Sequence, residues 1–325
     1  MRLHRLSLCV CCALVACSSP TTEQSTVAPE EVLERATRAV QELESAQYVV
    51  QADFDLKTDA LSALGTARMD GMLSDGGEQL RFQLDLTSEV ASAAGDSSLS
   101  GTVEVVVISE NEVYLNLHSL SSQPSSEFFR PEMIAALAGK WWLLSEDNSP
   151  PITKSVTPDP RLLQAQAQVV SVARDRGIVQ INGRDSHHYD VALDTEKLAA
   201  YLEAIALEKG QEFDKTKTTK SLEEIQGSGQ LWIDAETYFV QKINWVVQSV
   251  PLDNGGTASL SFTVTFRNHN DAPAILPPQG ATPFSPAIFF TLPSEAMFPE
   301  EIQNQLPSDL NDEQLLELLQ EMNSY

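Results

Sequence analysis

The chain has 325 residues, 42% of them hydrophobic and 21% charged, with 46 Asp+Glu against 21 Lys+Arg for a formal net charge of −25. This is the composition of a globular protein able to bury a core. The charge excludes a nucleic-acid partner, because phosphate binding needs clustered Lys and Arg, and it opposes docking of the body onto anionic lipid head groups.

Arg2 and Arg5 precede an apolar run from Leu6 to Val15, a positive segment and a short hydrophobic one that together read as a signal peptide over residues 1–16. The run is too short for a stable membrane-spanning helix. It ends in Leu14-Val15-Ala16-Cys17, which resembles the lipobox of bacterial lipoproteins. That resemblance implies cleavage before Cys17 and lipidation of its thiol. Cys9, Cys11 and Cys12 would leave with the signal, so neither disulfide nor cysteine chemistry is expected afterwards. Membrane attachment then rests on the acyl chains. Residues 17–28 read as a flexible tether.

Pro29, Glu30 and Glu31 suit a helix start, and Val32, Leu33, Ala36, Val40 and Leu43 recur at helical spacing. Tyr48, Val50, Ala52, Phe54 and Leu56 alternate as in a half-buried strand. Strands are expected at Gly65–Leu73 and Gln79–Thr87 around Asp75-Gly76-Gly77, and at Thr102–Ser109 and Glu112–Ser119. A short helical piece and Gly139-Lys140-Trp141-Trp142 follow. Residues 160–174 read as helical.

Gly177–Ile181 and His187–Leu193 flank Asn182-Gly183, a type I′ turn signal. Asp194 suits the N-cap of a helix carrying Leu198, Tyr201, Leu202 and Ile205, which ends at Lys209-Gly210. Three last strands read Gly229–Asp234, Phe239–Ser249 and Ala258–Asn268. In the last of these, Leu260, Phe262, Val264 and Phe266 alternate with Ser259, Ser261, Thr263 and Thr265. Prolines crowd between Pro273 and Pro307, which excludes regular sheet interior there, although Phe284, Ile288, Phe289, Phe290 and Phe298 suggest packing onto the body. Leu315, Leu318, Leu319 and Met322 form the stripe of a short acidic C-terminal helix.

This order predicts an α+β fold: a strongly curved antiparallel sheet, an open half-barrel over residues 29–270, with helices packed on it and a Pro-rich extension over 271–325. The helix-into-strand segment Leu33–Leu56, and Tyr189-Asp190-Val191 with Asp194, Leu198, Gly229-Gln230-Leu231-Trp232-Ile233-Asp234 and Phe239-Val240-Gln241-Lys242-Ile243, resemble the LppX/LprAFG lipoproteins of mycobacteria and the wider LolA-like carriers. The resemblance implies a helix-covered half-barrel whose apolar cavity holds acyl chains.

No catalytic signature accompanies it. His187-His188 lies in a strand, where neighbours point to opposite faces and cannot share a metal, and surface or turn roles are expected for both. His118 and His269 are isolated. Gly227-Ser228-Gly229 lacks the nucleophile elbow and reads as a strand-entry bend. Asp53 and Asp55 share one strand face, most simply a solvated one. Trp141, Trp142, Trp232 and Trp245 are core residues or cavity walls. No cofactor, metal or enzymatic activity is expected.

Two readings of function remain. One is a lipid-anchored envelope protein holding a lipid or lipoglycan acyl chain. Its cavity candidates are Val50 and Phe54; Val113, Leu115 and Leu117; Ile243, Trp245 and Val247; and Leu260, Phe262, Val264 and Phe266. The other is a structural or scaffolding lipoprotein whose core is filled by its own side chains.

Overall fold

The computed structural model describes residues 27–93, 95–109, 112–124, 131–144, 169–208, 213–223, 226–252 and 256–284. Cys17 and its box, residues 160–168 and the C-terminal helix expected near Leu315 lie outside them.

Twelve strands form one sheet: β1 (Ala46–Lys57), β2 (Leu61–Ser74), β3 (Gln79–Ser92), β4 (Gly95–Ser109), β5 (Glu112–Gln123), β6 (Trp141–Leu144), β7 (Val170–Ile181), β8 (Arg184–Leu193), β9 (Gln226–Asp234), β10 (Val240–Pro251), β11 (Thr257–Arg267) and β12 (Thr282–Pro283). Their order is β12-β6-β5-β4-β3-β2-β1-β11-β10-β9-β8-β7, antiparallel throughout except for the two-residue β12, which runs parallel to β6. The helices among the described residues are α1 (Pro29–Gln41), α2 (Pro131–Leu137), α3 (Thr195–Glu208) and α4 (Lys215–Glu223). Sheet therefore dominates the α+β balance expected from the sequence. None of the described helices is long and apolar enough to cross a membrane.

Local chemistry accounts for the hairpins. Asn182 and Gly183 take φ of 52° and 81°, the paired positive values of a type I′ turn. Asp75, Gly76 and Gly77 also take positive φ between β2 and β3. The α3 N-terminus is capped as expected, with the Lys197 N–H donating to Asp194 Oδ1 (3.0 Å).

Residues 170–174, expected as helix, are instead the start of β7, and Val170 pairs with Leu193. Val169, Val170 and Val172 are β-branched, and a partner strand with matching alternation outweighs the weak helical period. A second difference concerns Gly227-Ser228-Gly229, which is strand interior in β9 and makes no bend.

The main core lies on one face of the sheet. It joins Val32, Leu33, Ala36 and Leu43, in and just after α1, to Leu73 and Leu80 of β2 and β3 and to Val170, Tyr189 and Val191 of β7 and β8. β3 and β7 are seven strand intervals apart, which at about 4.8 Å each would separate them by roughly 34 Å in a flat sheet. Sharing a cluster built around one helix, about 10 Å wide, requires the sheet to curl around α1. The curled sheet stays open, with β12 and β7 at its two edges.

After β11 the chain crosses to the opposite face. Asn270 accepts from the Glu44 N–H (2.8 Å) and donates to the Glu42 carbonyl (3.0 Å). Ile275 then packs with Val106 and Tyr114 in a second small cluster beside Met72, Ile108 and Trp141. Phe284 ends the described segment against Trp142, edge to face at 6.0 Å.

Candidate functional site

Directly opposed residues of an antiparallel pair project to the same side, so register sorts every side chain by face. One continuous row runs Val103–Leu84–Met69–Val50–Val264–Ile243–Leu231–Tyr189. A second runs Leu86–Ala67–Ala52–Phe262–Trp245–Gly229–Val191, and a third Leu99–Ser88–Gly65–Phe54–Leu260–Val247–Gly227. Val113, Leu115 and Leu117 pair with Val107, Val105 and Val103 and continue the same face into β5. Phe266 pairs with Tyr48, which lies over Gly71. The twelve sequence candidates thus share one apolar face, the face that also receives α1.

That face divides into two regions. Around α1 it is solid: Ile243, Trp245, Val264 and Phe266 are buried in the main cluster. Toward the other end of the strands the cover thins. Phe54, Val247 and Phe262 are only partly buried, as are Val50, Val113, Leu115 and Leu117, and Leu260 is 38% exposed. Ala52, Ala67, Leu86 and Leu99 extend this half-buried apolar strip across β1 to β4.

Three aromatic rings shape the face by lying flat over strand glycines. Tyr48 covers Gly71, Phe54 covers Gly65, and Trp245 covers Gly229. A Cβ on Gly71 would sit 2.5 Å from the Tyr48 ring, so each glycine supplies the space its neighbour's ring fills. The glycines of β9 are therefore explained by the indole of Trp245.

The histidines are more buried than expected. His187 and His188 do point to opposite faces, but His187 is only 5% exposed. Its ring lies parallel to those of Tyr189 and Tyr238, at 6.2 and 6.3 Å, under the Arg35 guanidinium that caps Tyr238. His188 stacks on Trp232 at 4.5 Å. Burial lowers the pKa of both histidines. His269 lies parallel to Phe239 at 4.9 Å and donates through Nε2 to the Val240 carbonyl (3.0 Å), and burial lowers its pKa too. His118 pairs with Glu104 on the surface (3.1 Å).

The polar centre of this end of the sheet is Asp234, 2% exposed. Arg184 grips it through Nε and Nη2 (2.5 and 3.0 Å), Gln241 donates to it (2.5 Å), and the Thr237 N–H and hydroxyl and the Glu236 N–H close the shell. Burial alone would raise this carboxyl, but the guanidinium and the converging donors hold it well below the usual carboxylate range. Every lone pair is engaged in fixing the β9–β10 turn, which is structural work. Among the described residues no group of three His, Cys, Asp or Glu is placed to hold a metal ion.

The opposite face is polar, and there the sheet forms an open trough of about 910 Å³ across β4, β3, β2, β1, β11 and β10. Asp53 and Asp55 line it together with Ser259 and Ser261, while Phe54, Val247 and Leu260 reach it from the row between. The alternation of Ser259, Ser261, Thr263 and Thr265 marks this face in the sequence. Its concavity is a long-range consequence of twist and has no local signal.

The architecture is thus a single unclosed sheet curled around a helix, with one apolar face and one mainly polar face that carries the small Ile275 cluster. No family model matches the chain, and no curated protein matches it. The structure is similar to that of LprF from Mycobacterium bovis, at 16% identity over 78% of this chain and 97% of that one, with a TM-score of 0.36. It is also similar to the Mycobacterium tuberculosis lipoprotein LppX, at 14% identity over 77% and 100% of the two chains, with a TM-score of 0.32. A DUF1329 family protein from Desulfovibrio piger follows at 9% identity over 83% and 98%, with a TM-score of 0.21. The first two are lipoproteins of the LppX/LprAFG type that the sequence resembles. At these scores the likeness says nothing of a ligand.

Proposed function

We propose that this chain is a lipid-anchored envelope protein that binds, without catalysis, an apolar ligand such as a lipid or lipoglycan acyl chain against the open half of its apolar face. The observation that carries this reading is the half-buried strip of Phe54, Leu86, Leu99, Val247, Leu260 and Phe262 beyond the α1 core. A contiguous apolar strip of this kind loses free energy when covered, at roughly 25 cal/mol per Å² removed from water. Cys17 supplies the anchor in this reading, by the lipobox that its preceding residues resemble. The role of the cavity candidates changes accordingly: Ile243, Trp245, Val264 and Phe266 build the wall, and Phe54, Val247, Leu260 and Phe262 meet the ligand.

The test is mass spectrometry of the full chain expressed in bacteria and extracted from membranes. Denaturing spectra should show a covalent diacylglycerol adduct that Cys17→Ser abolishes. Native spectra, after incubation with a bacterial lipid extract, should add a non-covalent lipid mass. Phe54→Glu with Leu260→Glu should remove that second mass while the protein stays folded. A bare polypeptide in the native spectrum sinks the binding reading and leaves the rival, a scaffold with a core filled by its own side chains.

A further inference from the structure

The two walls of the trough lie on the face opposite the apolar strip, and only the row between them, with Phe54, Leu99, Val247 and Leu260, is shared with the proposed lipid role. Its walls are two rows of cross-strand partners. The upper row runs Ser100–Thr87–Thr66–Asp53–Ser261. The lower row runs Ser98–Glu89–Leu64–Asp55–Ser259. The hollow continues past Leu64, Glu89 and Ser98 into a further 510 Å³ reaching Asp96 and Gln123. Five strands at about 4.8 Å spacing make each row about 19 Å long, which suits a chain of linked units better than one small molecule.

The lining defines the chemistry of the occupant. Six hydroxyls line it, from Ser98, Ser100, Thr66, Thr87, Ser259 and Ser261; Thr66 and Thr87 bond each other (2.7 Å) and Ser261 donates to Asp53 (3.4 Å), and the lone pairs and hydroxyl protons left over can serve a ligand. Three carboxylates, Asp53, Asp55 and Glu89, only accept. They repel an anion, and the hydroxyls make an acyl chain costly there. Asp55 Oδ2 takes the Lys57 ammonium (2.6 Å), and Asp53 Oδ2 accepts from the Ser261 hydroxyl (3.4 Å), which leaves the other oxygen of each carboxylate as an acceptor. In the middle of the lower row stands Leu64, 52% exposed, an apolar platform among hydrogen-bonding groups. A sugar ring matches this pattern, with a C–H face to rest on Leu64 and hydroxyls around its edge that donate to carboxylates and exchange bonds with Ser and Thr. A basic peptide would use the carboxylates alone and leave the hydroxyl rows idle.

We propose that this trough binds a neutral oligosaccharide chain laid along the two rows. The assay is calorimetric titration of the full chain, in detergent, with neutral hexasaccharides of glucose, galactose, mannose and N-acetylglucosamine. At least one should bind, with an affinity unchanged between low and high salt because no net charge is paired. Asp53→Asn and Thr66→Arg should each weaken it by about tenfold or more without moving the thermal midpoint, since both side chains are exposed. Failure of all four sugars to bind overturns the proposal, as does equal binding by both variants. Binding of hexalysine in place of sugar, lost at high salt, would mark the trough as an acidic docking surface instead. Asp53→Asn and Thr66→Arg change side chains outside the lipid strip, so the sugar titration on these variants and the lipid spectra of the parent can each fail without the other.

Discussion

The indole of Trp245 lies over Gly229, its directly opposed partner on β9, and a Cβ at that glycine would collide with the ring. Gly227, one rung further along, faces the same indole through Nε1. The pairing is reciprocal, since a flat ring needs a strand position with no side chain, and that position, open on its own, is covered by the ring. Trp245 is then 6% exposed and forms one wall of the main core.

Gly229→Ala should therefore destabilise the protein by about 1–3 kcal/mol through overpacking against a ring held on both sides. Gly76→Ala is the control. Nothing lies within 4 Å of its Cβ position, and only its φ of 61° opposes the change, which costs on the order of 1 kcal/mol. Denaturant midpoints of the two variants check this, and equal midpoints would show that the indole moves aside freely.

Stability should fall on mild acidification. His187 is buried and His188 and His269 are half-buried, and burial lowers the folded-state pKa of all three, so between those values and the ordinary histidine value near 6.5 the unfolded chain binds more protons. Their contribution is complete above pH 6.5 and is lost as the pH drops through the lowered values. Asp234 acts in the same direction further down, because its depressed carboxyl favours the fold above the ordinary carboxylate range and ceases to do so below it. The thermal midpoint should drop between pH 7 and pH 5, and His187→Phe should flatten part of that slope. A midpoint constant over this range refutes it.

Much of the sheet was legible because alternation is a local signal. The period of Tyr48, Val50, Ala52, Phe54 and Leu56 gave a strand and its apolar face, and register then put Val264, Phe262 and Leu260 on that same face. The pairing of β1 with β11, more than 200 residues later, has no local signature. Nor does α1's position, which decides that Val264 is core while Leu260 is 38% exposed. Expected at the surface or supporting a turn, His187 is instead turned inward by strand parity, its ring parallel to those of Tyr189 and Tyr238. Of the helix expected over 160–174, residues 170–174 are strand because a β-branched stretch found a partner there.

The segment after β11 works as a strap on the polar face. Ile275 is 5% exposed among Val106 and Tyr114, whereas its neighbour Leu276 is 68% exposed. Ile275→Ala should cost about 2–5 kcal/mol, toward the lower end because the cluster is small and can collapse. Leu276→Ala should be neutral within about 0.5 kcal/mol. Urea unfolding monitored by tryptophan fluorescence separates the two, and parity between them would mean that the strap does not hold.

The position most informative about the apolar face is Val264. In the sequence it is a candidate cavity residue, and a Trp there would fill a hollow, leave the fold intact and displace a ligand. In the structure Val264 is 1% exposed, bracketed by Val50 and Ile243 as cross-strand partners and sealed by the cluster that α1 completes. Val264→Trp should then destabilise by about 1–3 kcal/mol or more through overpacking. Leu260, four residues earlier on the same face, has the opposite expectation. With 38% of its surface exposed, Leu260→Trp has room, should shift the unfolding midpoint little, and should change lipid occupancy in native spectra. The pair is measured by chemical unfolding and native mass spectrometry together. A Val264→Trp protein as stable as the parent would mean that a ligand-sized hollow reaches into the α1 end of the sheet. A Leu260→Trp protein that unfolds easily would mean that the strip is closed and the face is core along its whole length.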